Sequence, residues 1–276
     1  MLKNKPVYLL IAILFSVNIS NGQTAATTVS EELGRLYGRL AKDLNDSVKI
    51  QVNDSIRSII EVYMGSDTVF NHRFGNLRYL GQVTSPDSLI KIVSWNLVLT
   101  GKPGRYYSYI IRKQDDGVPN LIYRLTAEYN DNKIRTDTTY YADNWYGALY
   151  YDIRPNILNE GNSWVLLGID YGNLMITRKI IDILSFTQDN KIQFGMNLFS
   201  TTEIIKQRDV FEYSSTATMS LRFAGDGSIV FDHLVPFSPE LTGDRQYYGP
   251  HFSTDAYIPE KGLWINKLNV DARNKE

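Results

Sequence analysis

Two hydrophobic periods divide this chain. Between residues 28 and 64, apolar side chains recur at helical spacing: Leu33, Leu36, Tyr37, Leu40 and Leu44, then Val48, Val52, Ile56, Ile59, Ile60 and Tyr63. Thr28 and Glu31 have capping-box spacing and predict a helix start, while Asn45-Asp46-Ser47 predicts a break in the run. Each stripe is expected to pack on a sheet, with docking to a partner or a membrane surface as the competing uses. Asp43, Asp46 and Asp54 on the polar side weaken the membrane alternative.

From about residue 77 the period becomes two. Leu121, Tyr123, Leu125, Ala127 and Tyr129 alternate with Arg124, Thr126 and Glu128, which predicts a half-buried strand. Residues 89–99 and 105–113 read as strands joined by Gly101-Lys102-Pro103-Gly104, and Asp115-Asp116-Gly117 punctuates the next connection. The continuous apolar run from Trp164 to Ile169 predicts a strand covered on both faces. Ile176 to Leu184 fits a strand or a short helix. The cleanest alternation covers 210–235. There, Gly225-Asp226-Gly227 predicts a hairpin pairing Phe223 with Ile229, Leu221 with Phe231 and Met219 with His233. In that register His233 lies on the buried face, and Asp232 lies opposite Ser220, diagonal to Arg222 in an ion pair. The expected architecture is α+β: an N-terminal helical segment (28–64) followed by a predominantly antiparallel β-sheet, with 23–276 as a single domain and 77–276 mostly β.

Residues 1–22 read as an export signal. Lys3 and Lys5 supply positive charge, Val7 to Phe15 an apolar run, and Ser20 and Gly22 the small residues before a cut at Gln23. The apolar run is too short for a comfortable membrane span, so no transmembrane segment is expected in the mature chain. A periplasmic, secreted or cell-surface location follows. Without Lys3 and Lys5 the chain has 27 basic and 30 acidic residues, a balance that argues against nucleic acid as a partner. It contains no cysteine, which excludes a thioether lipid anchor, thiolate catalysis and Cys-containing zinc sites. No cofactor is implied.

Four segments carry a resemblance. They are Trp-Tyr-Gly-Ala-Leu-Tyr-Tyr-Asp-Ile (145–153), Arg-Lys-Ile-Ile-Asp-Ile-Leu-Ser-Phe (178–186), 211–223, and Ile-Val-Phe-Asp-His-Leu-Val-Pro (229–236). With Tyr248-Gly249-Pro250 and Asn269 to Asn274, they make the C-terminal half resemble a group of uncharacterised exported proteins of Gram-negative bacteria. In that group an acidic residue often follows the Tyr-Gly-Pro element, where this chain has His251, which weakens a ligand role at 251. The resemblance implies export and brings no activity with it.

Candidate chemistry is sparse. The three histidines are His72, His233 and His251, and Asp232, His233, His251 and Asp255 form the one tempting metal or acid–base cluster. Its spacing is unspecific, and Asp232 and His233 would point to opposite faces of a regular strand. His233 is therefore expected as a hydrogen-bonded core residue, and His233 and His251 stay weak metal candidates. No Gly-x-Ser-x-Gly elbow or phosphate loop is present. Dispersed carboxylates of a hydrolase remain open. Tyr and Trp suit glycan or peptide contact, and Tyr107, Tyr109, Trp145, Tyr146, Tyr247 and Tyr248 are the binding candidates, because adjacent strand residues point to opposite faces.

One further pattern recurs. Asp-Ser or Asp-Thr followed by an aliphatic residue or Thr occurs at 46–48, 54–56, 67–69, 87–89 and 137–139. Composition predicts on the order of one such match. It resembles a three-residue O-glycosylation acceptor of exported bacterial proteins, with Ser47, Ser55, Thr68, Ser88 and Thr138 as acceptors and Thr138 best placed. Turn and cap chemistry is the alternative. Taken together, the chain reads as a non-catalytic binding protein for a glycan, peptide or envelope protein; the alternative is a hydrolase with dispersed carboxylates.

Overall fold

A computed structural model describes residues 22–271 except 43, 44, 67, 76, 160, 172 and 203, with side chains from Val29 onward. The expected export signal falls on residues 1–22, of which all but the backbone of Gly22 lies outside the described part. Two helices, α1 (Gly22–Leu40) and α2 (Asp46–Met64), precede all the strands. The break between them lies where the polar triplet predicts it. Asn45 takes the cap position and accepts a hydrogen bond from the Val48 amide at 3.0 Å. Thr28 is not a cap. α1 already runs from Gly22 through Ala25 and Ala26, strong helix formers that let the helix continue past it.

The strands form three open sheets. The first has the order β1 (Gly81–Thr84), β2 (Ile90–Leu97), β3 (Arg105–Arg112), β4 (Leu121–Glu128). The second runs β5 (Tyr140–Tyr141), β9 (Ile192–Phe194), β8 (Ile176–Phe186), β7 (Ser163–Asp170), β6 (Leu149–Pro155), with β12 (Asp209–Ser214) also paired to β8. The third runs β11 (Ile205–Lys206), β10 (Phe199–Ser200), β16 (Leu263–Lys267), β15 (Tyr248–Glu260), β14 (Ile229–Pro236), β13 (Leu221–Phe223). Pairing is antiparallel except between β10 and β16. The architecture is α+β, with a small helical layer and a largely antiparallel sheet region.

Three hydrophobic clusters stack these parts into four layers. Leu33, Leu36, Val52, Ile56 and Ile60 of the helices meet Val93, Trp95, Tyr107, Tyr109 and Ile111 of the first sheet. The opposite face of that sheet, with Ile90, Ile92, Tyr106 and Ile110, packs on Tyr150, Trp164, Ile180 and Leu184 of the second. The far face of the second sheet, with Val165, Leu167, Ile181 and Ile183, meets Phe231, Tyr257 and Trp264 of the third. The helical stripes are thus used on a sheet, where burial of each large apolar side chain is worth about 1.5–3 kcal/mol. The helix also makes one buried polar link, as the Trp95 indole N–H donates to Asn53 Oδ1 at 2.9 Å.

Several local expectations are met. Strands β2 and β3 flank the 101–104 loop, β7 is covered on both faces, and the undecided 176–184 segment is strand. The 210–235 hairpin is met only near its turn. Leu221 pairs with Phe231 and Phe223 with Ile229, and Gly227 has φ +85°, the left-handed conformation such loops need. Upstream the alternating run divides. Residues 209–214 leave to pair with 176–181 of β8, and Ala217 N donates to Ser214 O in an intervening turn. The Ser214 and Thr216 hydroxyls hydrogen-bond each other at 2.9 Å and favour that turn over a continuous strand. Met219 therefore has no strand pairing with His233, whose place falls at a register shift between Asp232 and Leu234.

Candidate functional site

The division of the alternating run opens a cleft between the second and third sheets. One wall is β12, with Asp209, Val210, Phe211 and Glu212. The other is the β14–β15 pair, with Phe231, Asp232, Leu234 and Asp255. Lys133, Lys206 and Arg245 complete the lining of a cavity of about 320 Å³. Phe211 and Phe231 meet there with ring centroids 4.6 Å apart, giving an aromatic surface inside a largely charged lining.

Each carboxylate in the cleft is already held by the fold. Asp209 accepts from Lys206 Nζ at 2.7 Å through one oxygen and from the Tyr257 hydroxyl at 2.7 Å through the other. Burial pushes the Tyr257 phenol far up, reinforced by the charge of Asp209, so it stays a donor. Glu212 accepts from Arg178 Nε at 3.0 Å, and Arg178 also reaches Asp170 at 3.1 Å. Asp232 accepts from the Ser220 amide at 2.7 Å. Among the described residues it forms no ion pair with exposed Arg222. Asp255 is bonded to His233 Nδ1 at 2.6 Å and to the Asn269 amide at 3.0 Å.

The cations differ. Lys206 is paired with Asp209, but Lys133 and Arg245 have no carboxylate partner among the described residues. Arg245 lies over the Tyr248 ring at 4.3 Å, which keeps its guanidinium at the rim. A guanidinium and an ammonium without carboxylate partners face this polar cleft and suit a ligand that carries negative charge.

The candidates read from the sequence lie elsewhere or take other roles. Tyr107 and Tyr109 are buried under the helices against Trp95, at 5.1 and 5.5 Å between ring centroids. The expectation that adjacent aromatic residues leave one ring at the surface fails here because the first sheet is covered on both faces. Trp145 donates to the Tyr150 hydroxyl at 2.9 Å, and Tyr146 donates to Asp182 at 2.9 Å. Both belong to an internal network centred on Arg208. Tyr248 is buried, its hydroxyl accepting from the Gly243 amide, while Tyr247 is exposed.

His233 is partly exposed rather than a sealed core residue, because the bulge turns it toward the edge of the sheet. His251 is exposed and lies 3.4 Å from Ser253 Oγ, so it does not join His233 and Asp255. Among the described residues no three His, Asp or Glu side chains converge as a metal site. Ser47, Ser55, Thr68 and Ser88 are exposed, whereas Thr138 is half-buried. The sequence reading missed Lys133, Lys206, Asp209, Glu212 and Arg245. Only the Lys206–Asp209 spacing hinted at a pair, and the other partners come from remote strands.

Comparison with models of known protein families, with curated proteins and with solved structures finds no match for this chain.

Proposed function

We propose that this is an exported binding protein whose inter-sheet cleft holds an anionic glycan or acidic peptide segment. The observation that carries this reading is the imbalance of commitments in the cleft. Four carboxylates are held by internal partners, while Lys133 and Arg245 face the same space without one. Phe211 and Phe231 add an apolar surface on which a sugar ring or a peptide side chain can lie. This moves the expected aromatic contact from the sheet surfaces to the cleft. Calorimetric titration of the mature protein with acidic and neutral oligosaccharides, and with acidic peptides, tests it. Binding of an acidic ligand that weakens with added salt is the expected outcome. Equal binding of neutral and acidic ligands removes the basis of the reading.

The His233–Asp255 pair favours a second reading. A carboxylate bonded to Nδ1 leaves Nε2 as the working nitrogen, the arrangement of a base that takes a proton from water. His233 does not itself line the cleft and adjoins it through Asp255, so in this reading the protein is a hydrolase that acts at the cleft's margin. Turnover lost in His233→Gln with ligand affinity retained separates it from pure binding.

A further inference from the structure

We propose that Ser88, at the tip of the β1–β2 hairpin, is an O-glycosylation acceptor. The Asp-Ser/Thr-x pattern occurs five times where composition predicts on the order of one. Among the described residues the aspartates of these triplets have partners of their own, some local and some remote. Asp46 accepts from the Thr100 and Gly101 amides, both at 2.8 Å, and Asp137 accepts from Arg135 at 3.0 Å. Asp87 is used most fully. Its Oδ1 accepts from the Leu89 amide at 3.0 Å and from the Ser85 hydroxyl, and its Oδ2 accepts from the Trp164 indole at 2.9 Å. The residue that follows Asp87 is left unexplained by these contacts.

Ser88 is exposed, and among the described residues its hydroxyl makes no hydrogen bond. Its φ of +58° is a conformation that glycine adopts without strain, yet a serine stands there. Asp87, Ser88 and Leu89 form the one triplet of the five with all three residues exposed. A transferase must reach the hydroxyl and read its neighbours, so this accessibility decides between the candidates. Ser55 lies inside α2, bonds to Gln51 O, and is followed by fully buried Ile56. Thr68 is followed by buried Val69, and Ser47 sits in the first turn of α2. Thr138, the best candidate by sequence, is half-buried. Its hydroxyl bonds Asp137 and its carbonyl is held by Arg208 at 2.6 Å.

The chemistry is group transfer from a sugar activated as a phosphate ester. Ser88 Oγ attacks the anomeric carbon, and the new C–O bond forms as the bond to the phosphate oxygen breaks. The hydroxyl proton passes to a base of the transferase, and the phosphate leaves with the bonding electron pair. The site is separate from the cleft and does not depend on what the cleft binds.

Intact-mass measurement of the full chain recovered from the envelope of its native host is the test. The expected mass exceeds that of the polypeptide. Ser88→Ala and Asp87→Asn each remove one glycan increment, Ser88→Thr retains it, and Thr138→Ala leaves it in place. Asp87→Asn keeps an oxygen for the Leu89 amide but loses the acceptor of the Trp164 indole, and a cooperative melting transition confirms that the variants fold. A mass equal to the bare chain, or an increment that survives Ser88→Ala, overturns the proposal.

Discussion

His233 and Asp255 lie on adjacent strands with Nδ1 and Oδ2 2.6 Å apart, beside the register shift in the β14–β15 ladder. The imidazole is partly exposed while the carboxylate is nearly buried, so the two depend on each other unequally. Removing the imidazole leaves Asp255 with the Asn269 amide as its remaining partner. His233→Ala is expected to cost about 1–3 kcal/mol in urea unfolding, the penalty for a buried acceptor stripped of its donor. His233→Gln, which restores an N–H, is expected to recover part of this. A loss confined to the noise of the measurement in His233→Ala shows that the pair does not hold the bulge.

Arg208 and Asp182 make the other decisive pair, fully buried with Nε and Oδ2 2.8 Å apart. The guanidinium also donates to the carbonyls of Arg135, Thr138 and Phe194, pinning the 135–138 loop to the second sheet. A Cβ at residue 195, where Gly195 has φ +105°, would come within 2.5 Å of Nη2, so the glycine is needed for this close approach. Arg208→Met takes the cation from a buried carboxylate, which keeps the Tyr146 hydroxyl and the Ile183 amide, and a donor from three carbonyls. Its expected cost is about 3–5 kcal/mol in chemical denaturation. Arg208→Lys is expected to fall well short of rescue, because one ammonium cannot reach the same spread of acceptors.

What was legible in the chain and what was not follows from how local each signal is. The break at 45–47, the 101–104 connection and the Gly225-Asp226-Gly227 turn act through neighbours in sequence, and each is where the pattern places it. The alternation at 209–223 reports strand character but not which strand is the partner, so the departure of 209–214 to β8 left no trace in the period. Burial of Tyr107 and Tyr109 depends on a helical layer on one side and a second sheet on the other, which no adjacent residue encodes. The cleft is hidden for the same reason. Asp209 meets Tyr257, and Glu212 meets Arg178, only through strand pairing and sheet stacking.

Lys91 predicts a distinctive pH dependence. Its ammonium is buried beside the Tyr63 ring and donates to the carbonyls of Val69, at 2.6 Å, and His72. Burial pushes it down to about 8, with Arg73 adding to the effect. The unfolded chain therefore binds this proton more tightly than the folded one. The resulting destabilisation is full below pH 8 and fades as pH rises toward the ordinary lysine value of 10.5. The stability of the wild type relative to Lys91→Met should rise by about 2–3 kcal/mol across that window. Urea unfolding of both proteins at stepped pH measures the difference, in which tyrosine ionisation cancels. A flat difference contradicts the buried charge.

The charged cleft carries the functional account, and its two unpaired cations offer the most direct test. Titration calorimetry with an acidic oligosaccharide or acidic peptide selected by the wild type compares that protein with Lys133→Glu/Arg245→Glu. Both positions are exposed and neither makes an ion pair among the described residues, so the double variant should fold, losing only the contact of Arg245 with the Tyr248 ring. Two reversed charges facing an anion are expected to weaken binding by at least about 100-fold, at roughly 1.4 kcal/mol per factor of ten. An acidic ligand bound equally well by the folded double variant contradicts the account.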